Sequence, residues 1–179
     1  MSTVTVNTAR PYEVRIERGL LKRTGEQLSA LTRSRAAALV ADDTVDALYG
    51  GAVRSALADA GFQTETITFP HGEAAKTLAT YGRILDFLAE NRLTRADTVV
   101  ALGGGVTGDL AGFAAATYLR GVNVLQIPTT LLAMVDSAVG GKTGVDLPAG
   151  KNLAGAFHQP LAVLCDPDTL DSLPQETFA

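Results

Sequence analysis

The chain has 179 residues and a formal net charge of -4, 15 Lys+Arg against 19 Asp+Glu, which argues against a dedicated nucleic-acid binder because such proteins carry a basic excess. Hydrophobic residues make up 46% and charged residues 19%, the balance of a chain that buries a core, and one domain is the expected count at this length.

In chain order, Met1 to Gly19 has no basic segment followed by an apolar run, so it does not read as a signal peptide. Within it, Thr3 to Val6 and Tyr12 to Glu17 alternate with period two around turn chemistry at Asn7 to Pro11, which predicts a hairpin. Ala36 to Ala41 is a continuous apolar run, as in a strand covered on both faces, and ends on Asp42-Asp43. Val45, Leu48, Val53, Leu57 and Ala60 follow helical spacing up to Gly61. Gln63 to Phe69 reads as a strand, and Leu78, Tyr81, Leu85 and Leu88 as one face of a helix. Asp97 to Leu102 predicts a buried strand, Val106 to Tyr118 a helix, Val122 to Ile127 a strand and Ala162 to Cys165 a last one. Strands alternating with helices imply an α/β fold: a Rossmann-like, doubly wound, mostly parallel sheet with an N-terminal β-hairpin.

Cys165 is the single cysteine, which excludes an internal disulfide framework and a Cys-clustered metal site; within its apolar strand it reads as a small buried hydrophobe. No stretch approaches the roughly 18 apolar residues of a membrane span, so no membrane partner and a cytoplasmic placement are expected. Ser172-Leu173-Pro174-Gln175 carries a capping Ser, an early Pro and a capping-box Gln, the start of a helix. The expected division is therefore residues 1–172 as one α/β domain, with 173–179 beginning a helix that the chain cuts short.

Gly103, Gly105 and Gly108 satisfy G-x-G-x-x-G between a predicted strand and a predicted helix, the spacing that lets backbone amides approach a pyrophosphate at a helix N-terminus. The dinucleotide fingerprint places an acid about 20 residues on, where this chain has Pro128 and Thr129, so Asp42 is the better candidate for a ribose hydroxyl. The plainer alternative is a tight turn with Asp42 capping a helix. Further loops follow strand ends: Pro70 to Lys76, Pro128-Thr129-Thr130, Asp136 to Gly144, and Gly150-Lys151-Asn152. Lys142 and Lys151, set among glycines, point to an anionic ligand. Gly140-Gly141-Lys142-Thr143 lacks the first glycine of a Walker A loop, which excludes a P-loop.

Gly103 to Asp109 with Gly112-Phe113, Arg120-Gly121, Pro128 to Leu132, Asp136-Ser137, Gly140-Gly141-Lys142 and Gly150-Lys151-Asn152 together resemble the 3-dehydroquinate synthases of the shikimate pathway. Phe69-Pro70-x-Gly72-Glu73-x-x-Lys76 and Gln159-Pro160 also fit, and the resemblance covers the N-terminal half of that family's chain. It implies an enzyme, a phosphate-eliminating carbon–oxygen lyase. With tightly held NAD and a divalent metal, zinc or cobalt, it converts the sugar acid phosphate DAHP to 3-dehydroquinate and releases phosphate. It also implies that Asp42, the loop His71, Gly72, Glu73, Ala74, Ala75 and Lys76, the turn Gly104, Gly105, Val106, Thr107, Gly108 and Asp109, then Thr129, Thr130, Thr169, Leu170, Asp171 and Ser172 contact NAD.

By the same resemblance Asp136, Lys142, Lys151 and Asn152 face the junction of nicotinamide and substrate, the two lysines also near the cofactor, and Arg120 reaches phosphate in a neighbouring subunit of a homodimer. The family's metal ligands lie in its helical C-terminal domain, absent from this chain, so no metal ligand is assigned to His71 or His158, the only histidines. The chain is thereby expected to supply a cofactor half and to be inactive alone. A related sugar-phosphate cyclase, a metal-dependent polyol dehydrogenase and a non-catalytic NAD-binding module are the alternatives.

Overall fold

The computed structural model describes residues 1–173; the helix start expected over 173–179 lies, beyond Leu173, outside the described residues. The elements run β1 (Ser2–Val6), β2 (Tyr12–Ile16), α1 (Thr24–Ser29), β3 (Ala36–Asp42), α2 (Asp43–Val45), α3 (Gly51–Asp59), β4 (Gln63–Phe69), α4 (Leu78–Glu90), β5 (Thr98–Gly103), α5 (Gly105–Thr117), β6 (Asn123–Pro128), β7 (Lys142–Leu147), β8 (Gly150–Phe157) and β9 (Ala162–Cys165). A π-helical turn, Asp46–Gly50, joins α2 to α3, so the predicted single helix is one rod with a bulge. The predicted strands recur within one residue of their expected ends.

Seven strands form one sheet in the order β1-β2-β9-β6-β5-β3-β4, and only the β1–β2 pair is antiparallel. The fold is the expected doubly wound, mostly parallel sheet. β3 explains why its sequence is an unbroken apolar run: Leu39 and Ala41 face a layer with Leu20, Leu28, Val53 and Leu57, while Ala38 and Val40 face a layer with Ile84, Leu88, Leu110 and Ala114. With water excluded from both sides, no position favours a polar residue; each fully buried leucine contributes about 2 kcal/mol. From β3 the chain winds outward to β4, then crosses back to β5 and on to β6 and β9. The order therefore reverses between β3 and β5, the place where open α/β sheets bind ligands at their carboxyl ends.

Three expectations need correction. Of the face predicted for α4, Leu88 is buried and Tyr81 and Leu85 pack against the core, but Leu78 is 51% exposed; the helix also buries Thr80 and Ile84, and Thr77 caps it through the Thr80 N–H. The segments Asp136 to Gly144 and Gly150 to Asn152 are not loops throughout. They carry β7 and β8, an antiparallel pair that packs on α5 as a small second sheet. That packing depends on Gly112, where a Cβ would lie 2.5 Å from Thr143 Cγ2. Finally, α5 ends at Thr117, and Leu119 and Arg120 follow with φ of 51 and 66, so the expected helical Tyr118 belongs to the exit turn.

Candidate functional site

The carboxyl ends of β3, β4, β5, β6 and β9 lie along one edge, and the cofactor residues expected outside the small sheet lie at these strand ends, in the segments after them or in the first turns of α5. At the switch point, Asp42 ends β3 and Gly103 ends its neighbour β5. Gly103 is compact because a Cβ there would lie 2.4 Å from Thr107 Oγ1. Gly104 precedes α5, and Cβ atoms at Gly104 and Gly105 would stand 3.2 Å from Thr130 Cγ2 and 3.1 Å from Ser137 Oγ. Gly108 faces Gln126 across the helix–sheet contact, at 2.9 Å from a Cβ to Gln126 Oε1. Val106 continues the first turn of α5 behind them. Among the described residues no side chain caps α5, which leaves its first amides facing the position an anion would take at the positive end of the helix.

Asp42 combines both readings of its sequence position. Its Oδ1 accepts the Val45 N–H at 2.8 Å and caps α2, while Oδ2 lies 3.5 Å from Thr107 Oγ1 beside the glycine turn. Next to it, Asp43 accepts the His71 N–H at 3.1 Å and lies 2.8 Å from His71 Nδ1. The hydrogen bond from His71 holds the Asp43 carboxyl below the usual carboxylate range. The loop continues through Gly72 at φ 97 into a short turn over Glu73, Ala74 and Ala75. Thr129 is buried and donates its N–H to Gly103 O; Thr130 Oγ1 accepts the Ala133 N–H.

The turn Thr169, Leu170, Asp171, Ser172 follows β9 and is fixed from two sides. The Tyr49 hydroxyl lies 2.6 Å from Ser172 Oγ and 3.1 Å from Thr169 O. Behind it, the buried Asp166 carboxylate accepts N–H groups from Gly19, Leu21 and Asp168 at 3.0, 3.0 and 3.1 Å.

The centre of the site is Lys76, 5% exposed. Its Nζ lies 2.5 Å from Asp109 Oδ2 on α5 and donates to Asn152 Oδ1 on β8 at 2.5 Å. Burial pushes the Asp109 carboxyl above the usual carboxylate range, and the Lys76 ammonium only partly opposes it. Beside this cluster, Lys142 Nζ pairs with Asp136 Oδ1 at 2.5 Å, and Asp109, Asp136, Lys142 and Asn152 share a cleft of about 510 Å³ with Ser137, Leu153 and Phe157. Lys151 Nζ pairs with Glu73 Oε1 at 3.1 Å. Both of these pairs are solvent-exposed and contribute little to stability, so their lysines are available to an anionic ligand.

The structure thus brings together Lys76, Asp109, Asn152, Asp136 and Lys142, which the sequence supplies from separate elements. Arg120 is not among them: it lies exposed past the far end of α5, about 20 Å along the helix from Gly105. His158 Nε2 donates to Val122 O at 2.8 Å, a contact at the amino end of β6 rather than in the cleft. Asp146, which binds the Asn152 N–H, was not anticipated; an Asp between Val145 and Leu147 carries no local signal beyond an outward strand position. Asp43 was legible only as the neighbour of Asp42.

Fold and site together define a doubly wound α/β domain with a charged cleft at its topological switch point. The chain belongs to the 3-dehydroquinate synthase N-terminal family, whose match spans residues 66–179. Among relatives, the 3-dehydroquinate synthase of Paracoccus denitrificans (strain Pd 1222) is 53% identical over 181 residues, covering 99% of this chain and 49% of its own length. That of Streptococcus suis (strain 05ZYH33) is 51% identical over 171 residues, covering 95% and 48%. The chain therefore spans about half the length of the curated relatives it matches.

Among solved structures, 2-deoxy-scyllo-inosose synthase complexed with carbaglucose-6-phosphate, NAD+ and Co2+ superimposes with a TM-score of 0.89 at 26% identity, over 98% of this chain and 49% of that one. A 2-epi-5-epi-valiolone synthase from Streptomyces hygroscopicus subsp. jinggangensis 5008, with NAD+ and Zn2+ bound, gives 0.84 at 32% identity, over 97% and 48%. An iron-containing alcohol dehydrogenase, at 18% identity and a TM-score of 0.80, shares the fold.

Proposed function

We propose that this chain is the NAD-binding part of a 3-dehydroquinate synthase that converts DAHP to 3-dehydroquinate with release of phosphate. The observation that carries the reading is the buried Lys76 ammonium, which ties the phosphate-type turn of α5, through Asp109, to the lysine-bearing hairpin, through Asn152, two residues that line one cleft. A domain that only stored a dinucleotide would have no need of that second connection. Identity above 50% to synthases of this name, against 26% and 32% to the two other cyclases, favours this substrate over theirs.

NAD fits the carboxyl edge: the glycine cradle leaves no room for side chains and the free amides of α5 suit a pyrophosphate. Asp42, residues 71–76, Gly104 to Asp109, Thr129, Thr130 and Thr169 to Ser172 would line it. When bound, it supplies a reversible hydride acceptor at the substrate carbon. Lys142, released from Asp136, would hold substrate oxyanions; Lys151 would stand at the cofactor edge of the same junction; Asn152 would orient a hydroxyl. Among the described residues no group of three or more His, Cys, Asp and Glu side chains could hold a metal ion. The residues present do not make a zinc or cobalt site, and we assign that metal to the whole enzyme.

Residues 1–172 would form the NAD-binding domain and 173–179 the passage to a further domain, and the chain alone would not turn over. Because Arg120 lies far from the cleft, its role at phosphate requires a second copy, a homodimer in the whole enzyme. None of the helices among the described residues is long and apolar enough to cross a membrane, which supports a cytoplasmic placement. Calorimetric titration of the chain with NAD tests the reading, with Gly105→Asp as control because it sets a carboxylate at the phosphate position. Saturable binding lost in the variant supports it; equal binding by both, or by neither even with the remainder of the enzyme added, overturns it.

A further inference from the structure

The small sheet is irregular at one place. Its register pairs Val145 with Ala154 and Leu147 with Gly150, so Asp146 alone faces Lys151, Asn152 and Leu153. Bulges of this kind redirect side chains beside active sites. Here the redirected residue is Asn152, at φ 56, a left-handed region that Asn enters more readily than other residues with a Cβ and that a local hydrogen bond can lock. What holds it is Asp146: its Oδ1 accepts the Asn152 N–H at 2.7 Å. From that conformation Asn152 presents Oδ1 to Lys76 Nζ.

Asp146 also grips Lys76 from the other side. Its own N–H donates to Lys76 O at 2.9 Å, and a parallel bridge joins it to Thr77. A single residue therefore fixes the backbone of Lys76 and the backbone of Asn152, the two partners whose side chains meet at the cleft wall, where Asn152 lines the cleft and Lys76 is buried behind it. Nothing in the cleft lining includes Asp146 itself, so it acts through those neighbours.

We propose that Asp146 is a positioning residue for the reaction assigned above, on which this inference rests: it holds Asn152 left-handed so that Lys76 and Asn152 meet the cofactor and substrate in one geometry. A role confined to hairpin stability would lower the amount of folded enzyme and leave the turnover of the folded fraction untouched. Positioning lowers that turnover itself.

The test is made on the whole enzyme for kinetics and on this chain for conformation. Asp146→Ala is expected to lower kcat about tenfold or more per folded molecule, with NAD affinity within about twofold of the parent. Asp146→Asn, whose amide oxygen can still accept the Asn152 N–H, is expected to restore most of kcat. In labelled chain, the Cα and Cβ chemical shifts of residue 152 leave left-handed values in the Ala variant and keep them in the Asn variant. Unchanged kcat in the Ala variant, a fall matched by lost folded protein, or failure of the Asn variant to rescue overturns the proposal. Should Asp146→Ala not fold, Asp146→Glu, which displaces the acceptor, takes its place with the same expected loss. If the parent enzyme shows no turnover of DAHP, the functional reading fails by itself; residue 152 shifts unmoved by the substitution then overturn the positioning as well.

Discussion

Lys76 and Asp109 form an ion pair at 2.5 Å with side chains only 6% and 16% exposed, and it joins the loop after β4 to the first turns of α5. The pair is under electrostatic stress as well as attraction, since burial raises the Asp109 carboxyl despite the adjacent ammonium. Removing one partner from such a pair leaves the other charge stranded away from water.

Lys76→Met should therefore destabilise the fold by about 3 kcal/mol at neutral pH. The sign with pH follows from the raised carboxyl. The folded state holds its proton over a range in which the unfolded chain has lost it, so stability falls as pH rises from the usual carboxylate range through the folded value. Without Lys76 that penalty grows, and the deficit of the variant should shrink as the pH is lowered. Urea unfolding at pH 7.5 and pH 5 reads this directly; an equal deficit at both would contradict it.

For Asp43 the sign is opposite. His71 depresses its carboxyl, so the stability it contributes is present above the usual range and is lost as pH falls through the folded value. In His71→Ala the Asp43 midpoint should rise toward the ordinary aspartate value. The side-chain carboxyl carbon shift of Asp43, followed through an acid titration, gives the midpoint, and an unmoved value would rule the contact out.

Burial pushes the Cys165 thiol up to about 11. At pH 8 only about one molecule in a thousand then carries the reactive thiolate, inside an apolar strand. A chromogenic disulfide reagent should leave the native chain essentially unlabelled and react at once in guanidinium chloride. Rapid labelling of the native protein would mean that β9 opens locally.

Two glycines should respond in opposite directions. At Gly51, in α3, a Cβ meets nothing within 4 Å, so Gly51→Ala should stabilise by about 0.5–1 kcal/mol. At Gly155, in β8, a Cβ would lie 2.0 Å from the Thr143 carbonyl oxygen, which cannot move without opening the β7–β8 ladder. Gly155→Ala should cost about 2 kcal/mol or more. Thermal unfolding of both variants reads the contrast.

The central strands β3, β5, β6 and β9 were legible because they are buried on both faces and their apolar runs have no other use, and β1, β2 and β4 were legible from their alternation. β7 and β8 were not, since one face packs on α5 and the other leaves Leu153 and Phe157 exposed, and glycines at 144, 150 and 155 break any alternation. The residues of the cleft could be named from the sequence, yet their meeting could not: Lys76 reaches Asn152 across 76 positions only because β8 bulges opposite Asp146. Asp42 shows the limit of a motif, because one carboxylate serves both as helix cap and as neighbour of the glycine turn.

The Asp166 carboxylate, which binds the amides of Gly19 and Leu21 across 147 and 145 positions, has a consequence for how the chain comes into being. β2 is the second strand of the main sheet in chain order and its parallel neighbour β9 the last of the seven, so the hairpin cannot complete this edge until every other strand of the sheet has been made. The turn Thr169 to Ser172 shares that dependence, since its Asp166 anchor closes only against the backbone of Gly19 and Leu21. Assembly of this edge is a late, long-range loop closure and hence a slow one.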